Sequence, residues 1–182
     1  GKVVDMNESV RKETGVKDAS LKIYPVDGYG SPDLLRYLMT AEKPDAILHY
    51  TDPRFWEWLY QMEHEVRQHV PIFYYNIWDD LPYPMWNEPF YESCDLIMNI
   101  SKQTVNIVNN VRKDVPTNEW NNTYIPHGIN HKNFYPITKK QKEWGDMINF
   151  KNVVTGGRKY DFIVFWNNRN IRRKLPSDVI LA

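Results

Sequence analysis

Apolar residues fall in short runs separated by helical stripes. Leu21–Pro25, Ala46–Tyr50, Ile72–Ile77, Asp95–Ile100 and Asn122–Pro126 read as strands. The second, third and fourth are nearly continuous, the pattern of strands buried on both faces of a parallel sheet. Helical spacing fills the gaps. From about Pro32 to Ala41, Leu34, Leu35, Leu38 and Met39 share one face, behind Ser31 as N-cap and Pro32 at the first helical position. A helix from about Pro53 to Gln68 is predicted through Phe55, Trp58, Leu59 and Met62. Short helices are predicted near Glu8–Thr14 and Glu88–Ser93, and a further one follows Ser101 through Val105, Val108 and Val111. Strands alternating with helices imply βαβ units with right-handed crossovers. The fold class is therefore α/β, a Rossmann-like parallel sheet flanked by helices.

Ligands of open α/β sheets bind beyond the carboxyl ends of the strands. That draws attention to four loops, Tyr50–Pro53, Trp78–Tyr83, Ser101–Gln103 and His127–Asn130. His49 and Asp52 close the first buried strand, and His49 reads as a core or cleft-wall residue before it reads as a base. Trp78, Asp79 and Asp80 follow the next strand. Adjacent carboxylates point different ways, so Asp79 and Asp80 are not a matched acid–base pair; one orients a hydroxyl and the other caps a helix. Ser101 reads as an N-cap. Gly128 is expected to take a turn with positive φ.

The last third carries the most specific pattern. Ile125-Pro126-His127-Gly128-Ile129-Asn130 closes on Phe134-Tyr135-Pro136. An apolar run, Phe162-Ile163-Val164-Phe165, then precedes Asn168-Arg169-Asn170-Ile171-Arg172-Arg173-Lys174. This order resembles the hinge between the two domains of a GT-B glycosyltransferase of the retaining family-4 type, and the spacing of Arg169 and Lys174 matches that family. The resemblance implies an acceptor-side domain over 1–136 that lacks its first strand, a linker over 137–160, and the first strand and helix start of the donor-binding domain over 161–182. It also implies truncation at both ends. Arg169 and Lys174 would grip the donor diphosphate, two fixed cations stabilising the leaving charge without a metal. His127, Gly128 and Asn130 would lie at the cleft and hinge. Asp79 would stand near the acceptor and, with His127, in the catalytic group, while His49, Asp52, Trp78, Asp80 and Ser101 would line the acceptor side. The sequence departs from the family at Asn168, Leu175 and Asn130, which replace two glycines and an Asp. The implied reaction moves a sugar from a nucleotide-sugar donor to a carbohydrate or other hydroxyl acceptor, with no cofactor and no metal.

Composition narrows the alternatives. The 182 residues are 42% hydrophobic and 25% charged, with zero net charge, as in ordinary globular proteins. Zero charge argues against a dedicated nucleic-acid protein, although Lys151, Arg158, Lys159, Arg169, Arg172, Arg173 and Lys174 make the end of the chain basic. Cys94 is alone, so no internal disulfide forms and a reducing cytoplasm is the expected setting. No apolar run has the length of a membrane span. Aromatic residues reach 14%, and half of them lie between Tyr50 and Tyr91. They suit a core with amphipathic helix faces, and they also suit a surface that stacks sugars or bases. A nucleic-acid-binding module and a catalytically silent assembly domain stand as alternatives to the transferase.

Overall fold

The computed structural model describes residues 1–181. The chain divides into two units between Gly128 and Ile129. In the first unit, β1 (Val4–Asp5), α1 (Asn7–Thr14) and β2 (Lys22–Ile23) form a small ribbon, with Val4 paired antiparallel to Ile23. The expected strand over Leu21–Pro25 thus contributes two residues to this ribbon and none to the parallel sheet. The Asn7 side chain explains the capture: its Oδ1 accepts from Leu21 N at 2.7 Å and from Ser20 Oγ at 2.9 Å.

Next come α2 (Pro32–Glu42), β3 (Ile47–His49), α3 (Glu57–Gln61), α4 (Glu63–Val66), β4 (Ile72–Asn76), α5 (Glu88–Glu92), β5 (Leu96–Asn99), α6 (Lys102–Val111) and β6 (Asn122–Tyr124). Strands β3-β4-β5-β6 pair in that order and all are parallel. Chain order and spatial order run the same way, so right-handed crossovers place α3 to α6 on one side. Burial follows. Ile72, Tyr74 and Asn76 are buried in β4, while Phe73 and Tyr75 between them are only partly covered. Leu48 is 60% exposed. The expectation of strands buried on both faces is therefore corrected to burial on one face. The core lies on that face, where Leu59, Val66, Ile72, Tyr74, Tyr91, Ile97, Ile107, Val108 and Val111 are almost fully enclosed.

Local sequence explains the two well-formed helices. Ser31 Oγ accepts from Leu34 N at 3.3 Å to open α2, whose Leu35 and Met39 pack on the core. Ser101 Oγ accepts from Thr104 N at 3.0 Å to open α6, and Thr104, Ile107, Val108 and Val111 form its buried stripe. The helix expected over 53–68 is broken instead. A 3-10 turn over Pro53–Trp56 leads into α3 and α4, and Trp56 (φ −120°, ψ 24°) and Met62 (φ −104°, ψ 16°) leave helical geometry. The breaks let Leu59, Tyr60, Met62 and Val66 all enter the core.

A buried amide ladder crosses the sheet near its carboxyl end. Asn76 Nδ2 donates to Asn99 Oδ1 at 3.3 Å, and Asn99 Nδ2 donates to Asn122 Oδ1 at 2.6 Å. Asn122 Nδ2 continues to Asn109 Oδ1 at 2.7 Å on α6. Asn76 and Asn99 are fully enclosed.

The second unit holds α7 (Glu143–Thr155), a 3-10 turn over Arg172–Lys174, and α8 (Pro176–Leu181). The stretch expected as a linker over 137–160 thus contains a helix, closed by Gly156 in the left-handed region at φ 59°. The strand expected over Phe162–Phe165 is absent among the described residues. A strand forms only where a neighbour accepts its backbone hydrogen bonds, and none of the described residues of this unit pairs with it; Phe162 and Phe165 are more than 80% exposed. The division at Gly128 falls before the expected boundary at Pro136. Ala182, the last residue of the expected 161–182 stretch, lies outside the described residues. Among the described residues no helix is long and apolar enough to cross a membrane.

Candidate functional site at the carboxyl edge of the sheet

The residues predicted at the strand ends separate into two groups, one on each face of the sheet. Pairing of His49 with Tyr74 in the β3–β4 register sets this division. Side chains alternate along a strand, so Tyr50 and Tyr75 point to the opposite face.

On the covered face, His49 is 3% exposed and stacks on Tyr74 at 5.0 Å. Its Nδ1 shares a hydrogen bond of 2.6 Å with the Tyr60 hydroxyl. Its Nε2 is buried and has no partner in the protein. Burial pushes the imidazole pKa down to about 4, against a small opposing pull from Asp52, so the ring is neutral at neutral pH. This makes His49 a wall of the site, in line with the core reading. Asp52 stands one turn beyond. Its Oδ1 accepts from Arg54 N at 3.0 Å and caps the 3-10 turn. The Arg54 guanidinium grips the same carboxylate through both oxygens, with Nη2 to Oδ2 at 2.6 Å. That grip holds the Asp52 pKa below its ordinary value. Arg54 in turn lies over the Trp78 ring at 5.3 Å. Asp52, Arg54 and Trp78 therefore make a continuous ledge across the ends of β3 and β4. Arg54 escaped the sequence reading; its signal is the Asp-Pro-Arg turn directly after a strand.

The Trp78–Asp80 loop is fixed by backbone and side-chain contacts. Trp78 N donates to Asn76 Oδ1 at 3.1 Å, and Trp78 Nε1 donates to the Asp80 carbonyl at 3.1 Å. Thr104 Oγ1 donates to the Trp78 carbonyl at 3.0 Å, and Gln103 Nε2 to the Asp79 carbonyl at 3.3 Å. Asp80 Oδ1 accepts from Leu81 N at 2.9 Å, so it turns the loop and caps no helix. The Asp79 carboxylate is exposed and unpartnered among the described residues. Asp80 is exposed too, but one of its oxygens is already engaged. Ser101 is occupied as the cap of α6, hydrogen-bonded to both Thr104 N and Thr104 Oγ1.

His127 belongs to the open face. Its ring stacks on Tyr75 at 5.3 Å, and Tyr50 meets it edge-on at 6.1 Å. The Tyr75 hydroxyl donates to the Ile125 carbonyl at 2.7 Å, which leaves its oxygen to accept from His127 Nδ1 at 3.3 Å. Leu48, Tyr50, Tyr75 and His127 together line a shallow aromatic hollow. The structure therefore places the expected catalytic pair on different features, Asp79 on the loop after β4 and His127 in this hollow.

The expected positive φ at Gly128 is not observed; the glycines in that region are Gly15, Gly28, Gly30, Gly156 and Gly157. A Cβ built at Gly128 meets nothing within 4 Å. Sterics do not require glycine there, and Gly128→Ala is expected to change stability by no more than about 0.5 kcal/mol in thermal unfolding. In the second unit, Asn130 caps a turn through its Oδ1, which accepts from Lys132 N at 3.0 Å. Arg169 lies in an exposed irregular segment, and Lys174 ends the 3-10 turn ahead of α8. Leu175, where the resembled family has glycine, takes the left-handed region at φ 45°.

No protein-family model matches the chain, and no curated protein or solved structure matches it significantly.

Proposed function

We propose that this chain is the acceptor-side part of a nucleotide-sugar-dependent glycosyltransferase of the GT-B, retaining, metal-independent type, acting in the cytoplasm. The observation that carries the reading is the sequence order Pro126-His127-Gly128, then Arg169 and Lys174 at the family's spacing. The parallel sheet with polar groups gathered at its carboxyl edge suits it, since such edges bind ligands. In this reading Arg169 and Lys174 hold the donor diphosphate and offset the charge that builds on the leaving group. Asp79 accepts a hydrogen bond from the acceptor hydroxyl and orients it. The Asp52–Arg54–Trp78 ledge supplies an aromatic and charged wall beside it, with His49 as neutral packing behind. His127 contributes an imidazole at the hinge.

The test is a thermal-shift titration of UDP-, GDP- and ADP-sugars with EDTA present, on the full polypeptide that carries this chain. One donor is expected to stabilise the protein. Arg169→Ala is expected to weaken that donor by roughly tenfold to a hundredfold, the worth of a charged hydrogen bond to phosphate. A folded protein that responds to none of the donors, or an Arg169→Ala variant that responds unchanged, would overturn the assignment.

A further inference from the structure

We propose that the cleft between α6 and the edge strand β6 is a binding site for a neutral carbohydrate. It lies at the edge of the sheet, apart from Asp79 and the Asp52–Arg54–Trp78 ledge, and it stands whether or not the chain takes part in sugar transfer. The cleft has a volume of about 520 Å³, within the range of small-ligand sites. Its walls are rich in amides: Asn106 and Asn109 from α6, Asn118 from the preceding loop, and Asn122 from β6.

Three of these four amides are held by their oxygens, and the fourth, Asn122, donates to one of them. Asn109 Oδ1 accepts from Thr117 Oγ1 and Asn122 Nδ2, both at 2.7 Å. Asn118 Oδ1 accepts from Trp120 N at 2.9 Å, and Asn106 Oδ1 accepts from Asn110 Nδ2 at 3.2 Å. In each case the oxygen is engaged, and among the described residues the Nδ2 group has no partner in the protein. Three amide groups without a protein partner among the residues that line one cleft suit the hydroxyl oxygens of a sugar. Tyr124 adds a half-exposed ring to the same wall.

Charge selects the ligand class. The cleft holds one cation, Lys102, and one anion, Glu119. A phosphate or carboxylate would meet Glu119, and a cation would meet Lys102. A neutral polyol meets neither penalty, and both groups can hydrogen-bond to it.

Beside the cleft, a braced loop presents an indole. Asn121 N and Asn122 N both donate to the Asn118 carbonyl, at 3.1 and 2.8 Å. Asn118 N donates to Asn121 Oδ1 at 2.9 Å, and Asn121 Nδ2 donates to the Pro116 carbonyl at 3.2 Å. At the tip of this loop Trp120 is 82% exposed. A large apolar ring presented to water on a hydrogen-bonded loop is a ready stacking platform, and the bracing of the loop lowers the cost of ordering it on binding.

The test is a titration of the isotopically labelled protein with cellotetraose, chitotetraose and mannotetraose, followed by NMR. At least one sugar is expected to shift the side-chain amide signals of Asn106, Asn109 and Asn118 and the indole N–H of Trp120 in a saturable way. Asn106 and Trp120 are exposed, so Asn106→Ala and Trp120→Ala leave the fold intact, which the remaining spectrum verifies. Each is expected to weaken binding about tenfold, the worth of one stacked ring or of a lost polar contact. No saturable shift with any of the three sugars would overturn the proposal. So would shifts elsewhere in the protein, or an affinity unmoved in both variants. Because the probes are neutral oligosaccharides and the readout is local to this cleft, failure here is separate from failure of the nucleotide-sugar titration that tests the transferase reading.

Discussion

Replacing Asn99 by Ala is expected to lower the unfolding free energy by about 3 kcal/mol, despite removing no apolar packing. Asn99 is fully buried at the centre of the ladder. Its Nδ2 donates to Asn122 Oδ1 at 2.6 Å and to the Thr123 carbonyl at 3.0 Å, and its Oδ1 accepts from Asn76 Nδ2 at 3.3 Å. Truncation leaves the facing groups of Asn76 and Asn122 enclosed and without this partner. Each stranded polar group costs about 1–3 kcal/mol, because it gave up water on folding and regains nothing. Against a total stability of about 5–15 kcal/mol for a domain, that loss is large. Urea unfolding should show a lower midpoint with an unchanged slope, the signature of lost stability without a change in the surface exposed. Asn106→Ala, on the exposed face of α6, serves as the comparison and should stay within about 0.5 kcal/mol. If Asn99→Ala were as mild as Asn106→Ala, the ladder would not be holding β4, β5 and β6 together.

That ladder shows where sequence reading succeeded and where it stopped. The strands themselves were legible, because Ile72–Asn76 and Leu96–Asn99 are apolar runs of strand length bounded by turn residues. Helices α2 and α6 were legible through Ser31 and Ser101, whose capping roles are local. The polar residue that closes β4 and the one that closes β5 were visible as Asn76 and Asn99, but only the β4–β5 register makes them neighbours. Register is a tertiary fact and leaves no trace in one strand. The same limit hid the two faces of the site. Tyr50, Tyr75 and His127 gather because β3 pairs with β4 in one particular register, and a continuous apolar run does not say which face is covered. The break in the 53–68 helix was equally hidden. Phe55, Trp58, Leu59 and Met62 have helical spacing, yet burying Tyr60 beside His49 as well takes a bend. At Phe162–Phe165 the composition of a strand was present and the partner was not, which shows that β-forming sequence needs an edge to act on.

The stability of the first unit is expected to fall by up to about 3 kcal/mol as the pH drops from about 6.5 to about 4, with His49 as the main cause. The folded-state pKa of His49 lies near 4, below its ordinary value of 6.5, because the ring is enclosed against Tyr74, Trp56 and Tyr60. Above about pH 6.5 the ring is neutral in both folded and unfolded chains, and the full stability is present. Between the two values the unfolded chain takes up a proton that the folded chain refuses, so unfolding becomes progressively easier. Below about pH 4 both forms carry the proton and this contribution levels off. Asp52 pulls the other way, but only weakly, since Arg54 already engages its carboxylate. The carboxylates with lowered pKa values, Asp52, Glu42 and Glu65, titrate below their ordinary values of 3.8 to 4.5. They therefore add little to the upper part of the window. Urea midpoints at about pH 7 and about pH 5, for the protein and for His49→Phe, separate the contributions. The Phe ring keeps the stack on Tyr74 and loses the Tyr60 hydrogen bond, so the variant should be less stable at neutral pH. Its stability should nevertheless change much less between the two pH values than that of the unaltered protein. An equal pH response in both would show that a group other than His49 takes up the proton on unfolding.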